Sequence, residues 1–221
     1  MVSDDIYVVT TKNVEGWSGD HLTTMMEYIK EVYSSDYEFF EHRGYDASAA
    51  SGSTPCDLLD WWRDEPFTSG DRNLLIASSS IWGEGGCAEK HGEAAVVTIY
   101  DGMAGMAGPS ADSDLIGDQP VTGWAAPMQV AAGLQELGHL FGASHEQGIA
   151  DNHNSVNYTS PMLASYADNQ AGSDNTCGRK IEHDGLNENR YVEGYSKCAV
   201  DNSNFNHQPD KIYTKNDVES I

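Results

Sequence analysis

The sequence predicts an α+β fold with two unequal lobes. Short β-branched runs and helical repeats come in the order strand–helix–strand–strand–strand–helix. Beyond about residue 143 the chain turns polar and turn-rich, with few long periodic segments. At 221 residues it is long enough for one domain with its own core, and no internal repeat divides it.

Ile6 to Thr10 (IYVVT) is a β-branched run and predicts the first strand. Asp20 is placed to cap a helix. Leu22, Met25, Met26, Ile29, Val32 and Tyr33 then recur at helical spacing to about residue 34. Tyr37 to His42 predicts a second strand, Ser48 to Pro55 a small, polar loop, and Asp57 to Arg63 a short helix whose Trp61-Trp62 pair belongs to the core. Asn73 to Ser79 and Ala94 to Tyr100 are strands, separated by a glycine-rich stretch, Gly83 to Gly92, that holds Cys87. Asp101 to Gly123 reads as a loop; Asp112, Asp114 and Asp118 in it are a weak candidate for structural Ca2+, off the EF-hand spacing. Pro127 opens the last long helix, with Val130, Leu134, Leu137 and Phe141 as its apolar face and Gly142 as its left-handed stop.

Twelve basic residues against 35 acidic ones leave a net charge of −23. Nucleic acid and anionic membrane both require a basic face, so neither is expected as a partner. No apolar run reaches the ~18 residues of a membrane span. Carboxylates spread along the whole chain suit a protein adapted to high salt, where self-repulsion is screened. Four cysteines, Cys56, Cys87, Cys177 and Cys198, lack any Cys-x-x-Cys spacing. If each half folds as a unit, the pairing is Cys56–Cys87 and Cys177–Cys198, which places the chain in an oxidising, extracellular compartment. Residues Met1 to Asp5 do not read as a signal peptide. Asn157-Tyr158-Thr159 has the form of a glycosylation sequon, a triplet frequent by chance. A monomer is expected.

The chemistry concentrates at the end of the last helix, Gln135-Glu136-Leu137-Gly138-His139-Leu140-Phe141-Gly142-Ala143-Ser144-His145. Positions 135 and 139 lie one above the other on one helix face. A left-handed Gly142 lets the chain leave the helix sharply, so that His145 can swing back towards His139. Such an arrangement can hold a tetrahedral metal with one position open to water. The segment resembles the metzincin zinc-peptidase motif H-E-x-x-H-x-x-G-x-x-H with its downstream Met-turn. Glu136, His139, Gly142 and His145 match, Ser160-Pro161-Met162-Leu163 looks like the Met-turn, and Gln135 stands where the family has histidine.

The resemblance implies a single metzincin-like domain. Its N-terminal lobe, about residues 1–143, would carry a mixed twisted sheet and two long helices. Its irregular C-terminal lobe, about 144–221, would lie across an active-site cleft. It also implies Zn2+ held by His139 and His145 with Gln135 nearby, Met162 beneath the metal, and Glu136 as general base in the hydrolysis of a peptide or protein substrate. A tyrosine two residues beyond the Met-turn methionine is absent; that position is Ala164, and Tyr166 receives no role. Three readings of Gln135 stand open: a substitution made to silence the enzyme, a natural peptide-binding or adhesion protein without activity, and an amide that ligates zinc. His153 is a weak candidate for the missing ligand and reads first as a solvated loop residue, because nothing in its spacing aims it at the site; His21, His42, His91, His183 and His207 read as surface residues. No Gly-x-Ser-x-Gly, Walker or dinucleotide motif is present.

Overall fold

The apolar runs of the N-terminal half form the middle of a five-stranded sheet. In the computed structural model, which describes residues 5–15, 21–33, 36–66, 72–99, 126–153, 156–163, 170–182, 190–192, 194–209 and 212–213, these strands are β1 (Asp5–Thr11), β2 (Glu38–Tyr45), β3 (Arg72–Ser78), β4 (Gly85–Ala88) and β5 (Ala94–Ile99). Their spatial order is β2-β1-β3-β5-β4. β1, β2, β3 and β5 run parallel, and β4 closes one edge antiparallel to β5.

Both faces of this sheet are covered, which explains why β1, β3 and β5 are apolar without alternation. One face presents Ile6, Val8, Leu74, Ile76, Ala95, Val97 and Ile99 to two helices, α2 (His21–Val32) and α5 (Ala126–Leu140). The opposite face presents Val9, Leu75, Ala77, Ala94 and Val96 to α3 (Pro55–Trp62), through Leu58, Leu59 and Trp62. Trp62 is fully buried, while Trp61 packs at the margin beside Tyr45. Two single-turn helices, α1 (Lys12–Glu15) and α4 (Ser79–Trp82), follow β1 and β3 directly.

α3 begins on a capping box. The Thr54 hydroxyl accepts from the Asp57 N–H at 3.2 Å, and the Asp57 carboxylate accepts from the Thr54 N–H at 3.0 Å, with Pro55 at the first helical position. The helix therefore starts two residues earlier than its apolar pattern suggests. α5 likewise starts at Ala126, one residue before Pro127.

The glycine-rich stretch contains the edge strand. Gly85–Ala88 pairs with β5 in the register Gly86–Val97 and Cys87–Val96, and the Cys56–Cys87 disulfide ties it to α3. The segment has neither apolar alternation nor β-branched residues; pairing with β5 makes it a strand. The C-terminal part is also more ordered than its composition suggests. Strands β6 (Ala150–His153), β7 (Val156–Thr159) and β8 (Arg190–Val192) form a small sheet, and β9 (Tyr195–Ser196) pairs with β10 (Ile212–Tyr213).

α6 (Lys197–Asp201) is fixed by the Cys177–Cys198 disulfide. Tyr195, Met162 and Ala199 join the same hydrophobic cluster as α2, α5 and the sheet. Asn157 lies in β7 with no solvent exposure, and its Oδ1 accepts from Asn152 Nδ2 at 2.8 Å, so the sequon is closed to glycosylation in the folded chain. Among the described residues no helix is long and apolar enough to cross a membrane. Asp20, the Asp112–Asp118 acidic cluster, Ala164, Tyr166 and His183 lie outside the described residues.

Candidate metal centre

α5 delivers Gln135, Glu136 and His139 from inside the fold. Its apolar residues Val130, Leu134, Leu137 and Leu140 are fully buried, which fixes the rotation of the helix about its axis. The helix stops at Gly142, whose φ of 92° is in the left-handed region. The Gly142 N–H caps the His139 carbonyl at 2.8 Å, and the Ala143 N–H caps the Gly138 carbonyl at 2.9 Å. Ser144 then opens a 3-10 turn over His145–Gln147, with its N–H donated to Gln147 Oε1 at 2.8 Å.

This path brings the two imidazoles together. His139 Nε2 and His145 Nε2 are 3.0 Å apart, with ring centroids at 4.8 Å. His139 Nδ1 lies 2.8 Å from the Ala143 carbonyl, which can only accept. That contact places the ring proton on Nδ1 and leaves the Nε2 lone pair facing His145. Burial lowers the His139 pKa, against the hydrogen bond to Ala143. Burial, with His139 beside it, pushes His145 down to about 4. Both rings are therefore neutral at neutral pH, the state in which an imidazole ligates a metal.

Glu136 is almost completely buried, and burial pushes its carboxyl up to about 8, opposed by the hydrogen bond from Gln135. That bond, Gln135 Nε2 to Glu136 Oε1, is long at 3.4 Å. Gln135 is itself 4% exposed, and its Oε1 is buried without any hydrogen-bond partner. Leaving such an oxygen unpaired costs ~1–3 kcal/mol, so the position favours an acceptor that meets a cation or donor.

The edge strand closes in on the carboxylate. A Cβ built on Gly86 would lie 2.5 Å from Glu136 Oε1, so only glycine lets β4 pass this close. Below the helix, a Cβ on Gly138 would lie 2.6 Å from Met162 Sδ and 2.8 Å from Tyr195 Cε1. Met162, in the Pro161–Leu163 turn, is fully buried. The turn is held by Ser160, whose Oγ accepts from the Ile149 N–H at 3.0 Å. Tyr195 donates to the Leu134 carbonyl and shares a 2.8 Å hydrogen bond with Tyr33. The packing roles of Tyr195, Gly86 and Gly138 are not legible in the sequence, because each acts through a neighbour remote along the chain.

His139, Gly142 and His145 thus meet at the helix end, Met162 lies against Gly138, and Gln135 and Glu136 precede them on the same helix. His153 ends β6, and its backbone pairs with Val156. Among the described residues no three His, Cys, Asp or Glu side chains converge on one point.

No family profile matches the chain, and neither does any curated protein. Among solved structures, it overlaps archaemetzincin from Methanopyrus kandleri over 65% of this chain and 76% of that one, at 21% identity and a TM-score of 0.41. It overlaps a chain of a chaperone–substrate complex over 82% of its own length and 31% of the other, at 13% identity and a TM-score of 0.43. At these values neither overlap assigns a family or a reaction.

Proposed function

We propose that this chain is a metzincin-like zinc metalloendopeptidase whose first histidine ligand is replaced by Gln135. The observation that carries the proposal is the convergence of His139 Nε2 and His145 Nε2 at 3.0 Å at the end of the helix that also carries Gln135 and Glu136. Two nitrogen ligands at ~2.0–2.1 Å from a tetrahedral zinc stand about 3.3 Å apart, close to the spacing found. The two imidazoles fit the metal well; the Gln135 amide oxygen, one helical turn before His139 and buried without a hydrogen-bond partner, is the weaker donor.

Zinc bound there would polarise the scissile carbonyl and acidify a water. The remaining work falls to the chain. His139 and His145 would hold the metal, with His139 oriented through its Nδ1–H to Ala143. Glu136, in its ionised form, would accept the proton of the attacking water and deliver it to the nitrogen of the leaving amine. The outer edge of β4 pairs with no strand among the described residues. An extended peptide added to that edge would run past Gly86, against which the Glu136 carboxylate lies. The two disulfides are consistent with an oxidising, extracellular setting.

One observation favours a second reading, a peptide-binding protein without activity: the site offers two imidazoles where the peptidase motif has three. Gln135→His distinguishes the readings, assayed on casein in high salt with added zinc. The peptidase reading expects cleavage to appear or rise, and Glu136→Ala in the same background to abolish it. A Gln135→His protein that binds zinc fully and cleaves nothing across a broad peptide library would replace the peptidase with the binding protein.

A further inference from the structure

The turn between β4 and β5 reaches across to the end of α5. His91, within that turn, has a φ of 60° and is the sole non-glycine at positive φ among the described residues. His, Asn and Asp enter this region more readily than other side chains, at a cost that surrounding contacts must offset.

Those contacts converge on the candidate metal centre. The His91 N–H donates to the carbonyl of His139 at 3.0 Å, the same carbonyl that Gly142 caps. Its ring lies against Gly142 where a side chain would otherwise stand: a Cβ there would be 2.0 Å from His91 Cε1 and 2.2 Å from Nδ1. Asn204, from the C-terminal part, approaches His91 Nδ1 with its Nδ2 at 3.3 Å and donates its own N–H to the Phe141 carbonyl at 2.7 Å. Arg72 fixes the far side of the turn, donating to the Gly92 carbonyl and stacking over Phe141 at 5.2 Å. The turn, the helix end and the Asn204 segment therefore close on the three residues, Phe141 to Ala143, that redirect the chain from His139 to His145.

We propose that His91 is a positioning residue: its strained backbone and its ring hold the Gly142 turn so that His139 and His145 stay converged. Its role as a support for metal binding rests on the zinc reading above; its role in fixing the His139 ring does not. Without the ring, Gly142 gains free space in the least restricted backbone of the motif, and the Ala143 carbonyl that orients His139 is no longer fixed.

The test compares the full-length chain with His91→Gly, which keeps the left-handed backbone and removes the ring. In metal-free protein, imidazole nitrogen shifts should place His139 in the Nδ1–H form. In His91→Gly they should move towards the average of the two tautomers. In a cobalt(II) titration, affinity should fall about 10-fold, the lower range for loss of an outer supporting group, with an altered visible spectrum. Unchanged nitrogen shifts, or unchanged cobalt affinity and spectrum, would overturn the proposal. If the unsubstituted chain binds no cobalt, the metal reading fails and the nitrogen shifts still judge His91. Should His91→Gly fail to fold, His91→Asn, which tolerates the same backbone region, is judged by the same readouts and overturned by the same results.

Discussion

Gly138→Ala places two opposing effects on one methyl group. Alanine in a helix interior is favoured over glycine by about 1 kcal/mol, so in an exposed helix the change would stabilise. Here the new Cβ would stand 2.6 Å from Met162 Sδ and 2.8 Å from Tyr195 Cε1, inside van der Waals contact on both sides. Met162 can turn aside, because thioether side chains adapt. Tyr195 cannot: it is fully buried, and its hydroxyl is held by the Leu134 carbonyl and by Tyr33. Overpacking of this kind costs ~1–3 kcal/mol, and the pinned ring puts the cost at the upper end. The expected net is a loss of about 1–2 kcal/mol, or a thermal midpoint lower by about 3–6 °C for a chain of this size.

A double-mutant cycle separates the causes. Met162→Ala alone should cost ~2–5 kcal/mol by leaving a cavity. In the Gly138→Ala background the new methyl occupies part of that cavity, so the second cost should shrink by about 1 kcal/mol. Urea unfolding of all four proteins measures both quantities. A Gly138→Ala variant about 1 kcal/mol more stable than its parent, with additive costs around the cycle, would refute the close packing of helix, methionine and tyrosine.

Other outcomes follow from separate parts of the fold. Replacing Cys177 and Cys198 together by serine should lower stability by about 3 kcal/mol, the loop-closure cost for a bridge spanning 21 residues, read from urea midpoints; an unchanged midpoint would mean that the 170–182 segment is held without it. The Ser53 N–H, the Thr54 hydroxyl and the Thr54 N–H, in that order, hold the Asp57 carboxyl below the usual range. Because its folded pKa is depressed, its contribution is present above the unfolded value of ~3.9 and lost as pH falls through the folded one. Asp57→Asn should therefore flatten the acid limb of the stability profile, and an identical limb would contradict the capping role. Stability should rise from dilute buffer to molar salt, as screening relieves the charge of −23; a flat thermal midpoint across that range would count against salt adaptation. Zinc should be retained less well by the parent than by Gln135→His in competition with a chelator, and equal retention would show that the amide ligates as firmly as an imidazole.

Local chemistry made much of this molecule legible. β1, β3 and β5 can be read from their unbroken apolar runs because central parallel strands are buried on both faces, and that demand falls on every residue. The end of α5 can be read because residues four apart share a face and a glycine stops the helix, both consequences of backbone geometry within one turn. The same backbone geometry brings His139, Gly142 and His145 together within one stretch of chain. Tertiary structure alone decided the rest. Gly85–Ala88 is a strand because β5 offers it a hydrogen-bonding edge, and Gly86 is required because Glu136 lies against it. Asn157 is closed to modification because β7 is packed. Gln135 gains its meaning from an oxygen that burial leaves without a partner, and His91 from a turn that meets a helix end 48 positions away from it in the chain. Such contacts depend on where the sheet, the helices and the C-terminal segment come to rest, and no periodicity or spacing in the sequence encodes that distance.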